Sequence, residues 1–375
     1  MRFGLKQRFG FSQTGSGSTP IVVSGVTIAG TEVVNQTLTV SYTITGTPTV
    51  ITRRWYRGAT LIFTSTSSDT YVLTQAEAGN TSNITCNVDA DGVSNATSNT
   101  IAQILDANAL VYMQAVSIAN NSTIYFASTA QERTGTQLYS YYNTFYIGLK
   151  SNNIYSKLKT IYRMRWGNAA QNKFNGVNPL DTDAAFRLVF SGTWTYDNFG
   201  SLPNGTNAFA NSYFTPINHF SSRNSLAIIA DINGGSLGGG AYPYTIGSGG
   251  SNISAQSTGM IVRATNKIGI FVGDANALLS KANSSMTGYF AVNSVGGATS
   301  IILNTTALAT GTVSASGSLS NFSLYIGTLN VAGTPLAITY QNVKFRTILF
   351  ADGLTLPEHN TLKSLIDTLN TNEGI

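Results

Sequence analysis

Two histidines, one cysteine and sixteen Asp and Glu residues are what this 375-residue chain offers for polar chemistry, and their spacing decides how much they can do. His219 stands between Asn218 and Phe220 with no His, Cys or Asp at metal-ligand spacing, and reads as a structural histidine. His359 falls in the first turn of the last helix and is expected to face solvent. Cys86 is the single cysteine, so an internal disulfide and a zinc site are both excluded. A serine triad would need one of the two histidines, and no Gly-x-Ser-x-Gly elbow lies between a strand and a helix. No catalytic residue is assigned.

Paired carboxylates come next, because glycan cleavage uses them. Asp181 and Asp183 are two apart, following Asn178-Pro179 and preceding a strand expected at 186–190. A turn, in which both cap backbone amides, is the favoured reading. Calcium held by the two carboxylates is the second reading, and catalysis the third. Asp89 and Asp91, before Gly92, read as a hairpin turn. The glycine-rich run at 233–240 lacks the Lys-Ser/Thr end of a phosphate loop and has no βαβ unit around it. Tyr242 and Tyr244 follow directly, and are the candidates for stacking on a sugar ring if they are exposed. Packing at a sheet edge is the commoner fate of such tyrosines. No cofactor is expected, calcium being the one candidate.

The elements that must position these residues are mostly strands. Charged side chains make up only 10% of the chain against 42% hydrophobic, with polarity carried by Ser, Thr, Asn and 37 Gly. That hydrophobic share excludes wholesale disorder. Lys and Arg number 21 against 16 Asp and Glu, a net +5 spread too thinly for a nucleic-acid-binding stripe. No apolar run approaches the roughly 18 residues of a membrane helix, and residues 1–10 lack the apolar stretch of a secretory signal. A soluble, mainly β protein is expected.

Three segments follow from the patterning. Residues 1–19 form an arm that repeats Arg-Phe-Gly, at 2–4 and 8–10, before a Gly/Ser linker. Phe3, Phe9 and Phe11, with Arg2, Lys6 and Arg8, suit anchoring to a partner better than a solvated tail. Residues 20–104 alternate with period two, place Trp55 centrally and Cys86 later, and fit an immunoglobulin-like sandwich. Residues 105–375 are the larger domain. Leu138, Tyr141, Tyr142, Phe145 and Leu149 mark an amphipathic helix, and Ile154, Leu158 and Ile161 continue its pattern. Asp106 caps a shorter helix before it. These helices are expected at one end or edge of a sandwich, with strands from about residue 185 almost to the end. Thr355 and Glu358 form the capping box of a closing helix lined by Leu362, Leu365, Ile366 and Leu369.

Residues 20–104, through Gly30, Leu38, Trp55-Tyr56-Arg57, Tyr71-Val72-Leu73 and Ile84-Thr85-Cys86, resemble the Ig-like repeats of bacterial and phage surface proteins. An apolar residue near Val40 stands where antibody domains carry their first cysteine, so Cys86 reads as a small buried hydrophobe. The larger segment resembles the concanavalin-like (laminin-G-like) jelly-roll domains of phage tail and other virion proteins. Lys173-Phe174-Asn175, Gly192-Thr193-Trp194-Thr195 and above all the run at 178–207 carry that resemblance. It implies a non-enzymatic structural or adhesive role in a virion, as a tail- or head-fibre or decoration component. The arm would join capsid or tail subunits, and assembly as a homo-oligomer is expected. The alternative is a carbohydrate-binding adhesin that recognises host-surface glycan, and the third reading is a glycan depolymerase. Neither nucleic acid nor membrane is expected as a partner.

Overall fold

The computed structural model describes residues 19–118, 135–236, 244–252, 256–264, 267–272, 279–312 and 317–374. Arg2, Phe3, Lys6, Arg8, Phe9 and Phe11 of the arm lie outside these residues, as does Tyr242. The chain divides into two compact units, Met1–Ile104 and Leu105–Ile375.

In the first unit the period-two patterns become strands β1 (Val22–Gly30), β2 (Thr37–Thr45), β3 (Ile51–Arg57), β4 (Thr60–Ser65), β5 (Thr70–Val72), β6 (Ile84–Ala90) and β7 (Ser94–Thr97). They pair into two antiparallel sheets, β1-β2-β5 and β4-β3-β6-β7. Alternate residues of β6 are buried, as one covered face requires. Leu38, Val40, Trp55, Ile84, Cys86 and Val88 fill the space between the sheets. Trp55 lies opposite Cys86 in the β3–β6 register and stacks on Tyr71 at 5.6 Å between ring centroids. Asp91 occupies a left-handed turn position (φ 53°), and its carboxylate accepts the amides of Thr49 and Val50.

The second unit opens with α1 (Ala107–Ile118), whose first amides Asp106 caps, and α2 (Gly135–Ser151). Then come β8 (Leu158–Arg163), α3 (Ala169–Asn172), β9 (Val189–Ser191), β10 (Trp194–Asp197), β11 (Gly200–Pro203), β12 (Phe209–Asn211) and α4 (Pro216–His219). Longer strands follow: β13 (Ser225–Ser236), β14 (Ile246–Gly249), β15 (Ser257–Ala264), β16 (Lys267–Val272) and β17 (Leu279–Ala282). The chain continues through β18 (Thr287–Val295), β19 (Ala298–Leu303), β20 (Thr306–Thr312), β21 (Tyr325–Ile326), β22 (Leu329–Val331) and β23 (Thr334–Pro335). It closes with β24 (Asn342–Ala351) and α5 (Leu356–Asn372).

These strands form two large sheets. One runs β10-β11-β24-β13-β18-β19-β20 with β8 also paired to β24; the other runs β17-β16-β15-β14-β21-β12-β9. Ile228, Phe290 and Phe345 of the first sheet meet Ile246, Met260, Ile270 and Ile326 of the second in one core, so the unit is a sandwich. The mainly β class read from the sequence is the class observed.

The helices do not sit at an end or edge. Alternate residues of β13 serve two cores: Leu226, Ile228 and Ala230 face the second sheet, while Ala227 and Ile229 meet α1, α2 and α5 on the opposite face. Buried on both faces, β13 loses the polar-out alternation of a half-exposed strand. The helical reading of residues 154–161 is corrected as well. One 3-10 turn (Tyr155–Lys157) leads into strand β8, whose register runs antiparallel to β24. Leu158 and Ile161 are apolar because they lie under α2 and α5, a burial that both periodicities accommodate.

Candidate functional site

Where β8, the loop 175–187 and α4 converge, a cleft of about 330 Å³ is lined by Leu158, Lys159, Asn175, Val177, Asn178, Phe186, Phe214, Asn218 and His219. Leu158, Asn175 and Phe214 are buried, Lys159, Val177, Phe186 and His219 are half-buried, and Asn178 and Asn218 are exposed at its rim.

Asn175 builds one side. Its Oδ1 accepts the amides of Ile161 and Val177, both at 3.0 Å, and its Nδ2 donates to the carbonyls of Ala185 (3.1 Å) and Lys159 (3.3 Å). One buried amide therefore ties β8 to both ends of the loop. Phe186 follows the 3-10 turn Asp183–Ala185 in a left-handed conformation (φ 61°), costly for an aromatic residue. The Tyr162 hydroxyl holds it there by donating to its carbonyl at 2.6 Å. The Phe186 ring meets Phe214 edge-on at 5.2 Å and His219 at 4.6 Å. Phe214 in turn packs on Phe220 and Phe350 of the main core, so the aromatic wall has a rigid foundation.

His219 is set by α4. Its Nδ1 lies 3.0 Å from the Thr215 amide nitrogen and 2.9 Å from the Thr215 carbonyl. That carbonyl already accepts the amides of Asn218 and His219. An Nδ1 that accepts from the Thr215 N–H matches every group, which assigns the ring proton to Nε2. Burial holds the imidazole below its ordinary pKa, outweighing the Thr215 carbonyl, so the ring is neutral at neutral pH.

Charges around the cleft are paired. Lys159 Nζ lies 2.8 Å from Asp352, which also accepts the Ser221 amide. Burial would raise the Asp352 pKa, but Lys159 and Ser221 outweigh it and hold it low. Asp181 pairs with Lys173 (2.5 Å) and Arg187 (3.0 Å), and Asp183 with Arg187 (2.9 Å). The Lys173 hydrogen bond, with Arg187 beside it, depresses the Asp181 pKa. These carboxylates thus face cations instead of capping backbone amides. No group of three or more His, Cys, Asp or Glu able to hold a metal occurs among the described residues.

Of the two readings of Tyr244, the structure gives the packed one and not the exposed sugar contact. It is 9% exposed and packs edge-on to Phe271 at 4.8 Å, in a small core with Ile261 and Leu329. His359 does not face solvent either: it is fully buried, with Nδ1 2.7 Å from the Tyr289 hydroxyl. Of the residues singled out from sequence, His219 lines the cleft, with Asn178 and Phe186 beside it from the run at 178–207. Phe214, five residues before His219, and Lys159 on β8 are not among the site residues read from sequence; it is folding that brings Lys159 and Phe186 to the Phe214–His219 segment.

No protein-family model and no curated protein matches the sequence. Among solved structures, domain 4 of an extracellular arabinanase from Geobacillus stearothermophilus, in complex with arabinotriose, is 13% identical at TM-score 0.38. That match covers 55% of this chain and 98% of the arabinanase domain. Trypanosoma rangeli sialidase, in complex with 2,3-difluorosialic acid, is 13% identical at TM-score 0.42, with 76% of this chain and 43% of the sialidase covered. The binding domain of botulinum neurotoxin serotype D is 12% identical at TM-score 0.39, with 57% and 53% covered. The chain thus spans under half of that sialidase, and 24% of the NanB sialidase of Streptococcus pneumoniae. These are likenesses of β-rich architecture. Glycan-cleaving enzymes stand among these structures, against the non-enzymatic expectation, which is withdrawn; at TM-scores of 0.42 and below the likeness itself assigns no activity.

Proposed function

We propose that this chain is a carbohydrate-binding adhesion protein of a virion, and that the cleft beside His219 is where it holds sugar. The observation that carries this reading is the make-up of the cleft. Aromatic rings of Phe186, Phe214 and His219 form one wall. Asn178 and Asn218 stand at the rim with side-chain amides that bond no other described residue. A sugar ring presents C–H faces to aromatic surfaces and hydroxyl pairs to amides, so rigid rings and free amides together suit it. The virion setting rests on the resemblance carried by residues 178–207, which include Asn178 and Phe186 of the cleft. In that setting the arm, through Phe3, Phe9, Phe11, Arg2, Lys6 and Arg8, anchors the chain to capsid or tail subunits.

A glycan array probed with the full chain tests the binding. Binding to a defined glycan, weakened at least fivefold by Asn218→Ala or His219→Ala, is expected, each removing about one hydrogen bond. A blank array sinks the reading. Deleting residues 1–12 tests the anchor, and unchanged incorporation into particles would defeat it.

A further inference from the structure

The ligand of this cleft can be narrowed, an inference that rests on the glycan-binding reading. We infer that the cleft takes one uncharged sugar residue bearing a methyl group, carried as an acetamido or a 6-deoxy substituent. Size comes first. At about 330 Å³ the cleft lies at the small end of ligand pockets, which run from about 300 to 1,000 Å³. It holds one ring of a glycan, not a stretch of chain.

Charge comes second. Lys159 is the cation in the lining, and Asp352 already neutralises it at 2.8 Å. On the adjoining loop Lys173 faces Asp181, and Arg187 faces both Asp181 and Asp183. Three cations against three carboxylates leave no unpaired charge for the carboxylate of a uronic or sialic acid. Such a ligand would have to displace Asp352 or be desolvated without a partner, and either is costly. The polar groups that remain, the amides of Asn178 and Asn218 and the neutral His219 ring, suit uncharged hydroxyls and amides.

The lining supplies the third observation. Beside the Phe186, Phe214 and His219 wall that stacks on the ring, Leu158 and Val177 add further apolar lining. A methyl-bearing substituent would fill it, where a bare hydroxylated ring would not. Burying one such group tightens binding about fourfold.

Titration calorimetry of the full chain with N-acetylglucosamine, L-fucose, glucose, glucuronate and N-acetylneuraminate tests the inference. N-acetylglucosamine or L-fucose should bind at least fourfold more tightly than glucose and than both acids; which of the two leads tells acetamido from 6-deoxy. Affinity should change less than twofold between about 0.05 and 0.5 M NaCl, because no net charge is exchanged. Either acid binding as tightly as its neutral counterpart, glucose matching both methyl sugars, or a tenfold loss in salt overturns the inference while leaving glycan binding intact. Unaltered affinity in both Asn218→Ala and His219→Ala overturns the placement in this cleft. Silence from all five sugars together with a blank array removes the glycan-binding reading itself.

Discussion

At the scale of single residues, burial rather than sequence position sets the chemistry. His359 follows the Thr355 cap by one turn, yet it lies fully buried against Tyr289 with its Nε2 unpartnered. Burial pushes its pKa down to about 4 from 6.5. Between those values the unfolded chain binds a proton that the native imidazole refuses. Stability therefore rises with pH across that window, by about 3 kcal/mol, and is lost as pH falls towards 4. Urea denaturation at pH 4 and pH 7 should show that slope in the native chain, and His359→Gln should flatten it. Glu373 is buried between Arg163 and Arg165, which both bond its Oε2, while Tyr142 donates to Oε1 at 2.8 Å. Burial alone would raise its pKa, but the two guanidiniums outweigh that and hold it low. Its contribution is thus present above the ordinary carboxylate range and disappears only as pH falls through the depressed native value. Burial also lowers the Arg165 pKa to about 10. Glu373→Ala would leave two buried cations without their carboxylate and should cost roughly 3–5 kcal/mol by chemical denaturation.

Elements were legible where one face alone is buried. α2 and α5 carry apolar residues at helical spacing, and Leu138, Tyr142, Phe145, Leu362, Ile366 and Leu369 are the residues they bury. β8 was not legible, because Leu158, Ile161 and Tyr162 all lie under other elements and burial erases the period. Arg163 ends β8 and Arg165 lies in the turn just beyond it, yet both reach one carboxylate. Nothing local says the partner is Glu373. Backbone approach is equally hidden. Gly200 opens β11 at φ 142°, where an added Cβ would stand 2.4 Å from the Phe345 carbonyl oxygen of β24. Gly200→Ala should therefore cost roughly 2–3 kcal/mol and lower the thermal midpoint, whereas a surface alanine should not.

At the scale of the molecule, two units carry separate cores, one around Trp55 and the others around the paired large sheets and their helical cover. Calorimetry should resolve two transitions. Trp55→Ala, a loss of roughly 3–5 kcal/mol, should move one of them and leave the other in place. Movement of both together would show that the units unfold as one. The sequence by itself determined the β-rich class, the central Trp55 with Cys86, the Asp106 cap and the capping box of α5. Each of these depends on neighbours in the chain or on a repeat that one buried face imposes. Only the tertiary structure decided that the helices cover a sheet face, that Tyr244 and His359 are buried, and that Lys159, Phe186, Phe214 and His219 share a cleft. Those outcomes depend on contacts between distant segments, where a residue's exposure is set by what folds over it and local pattern carries no record of the partner.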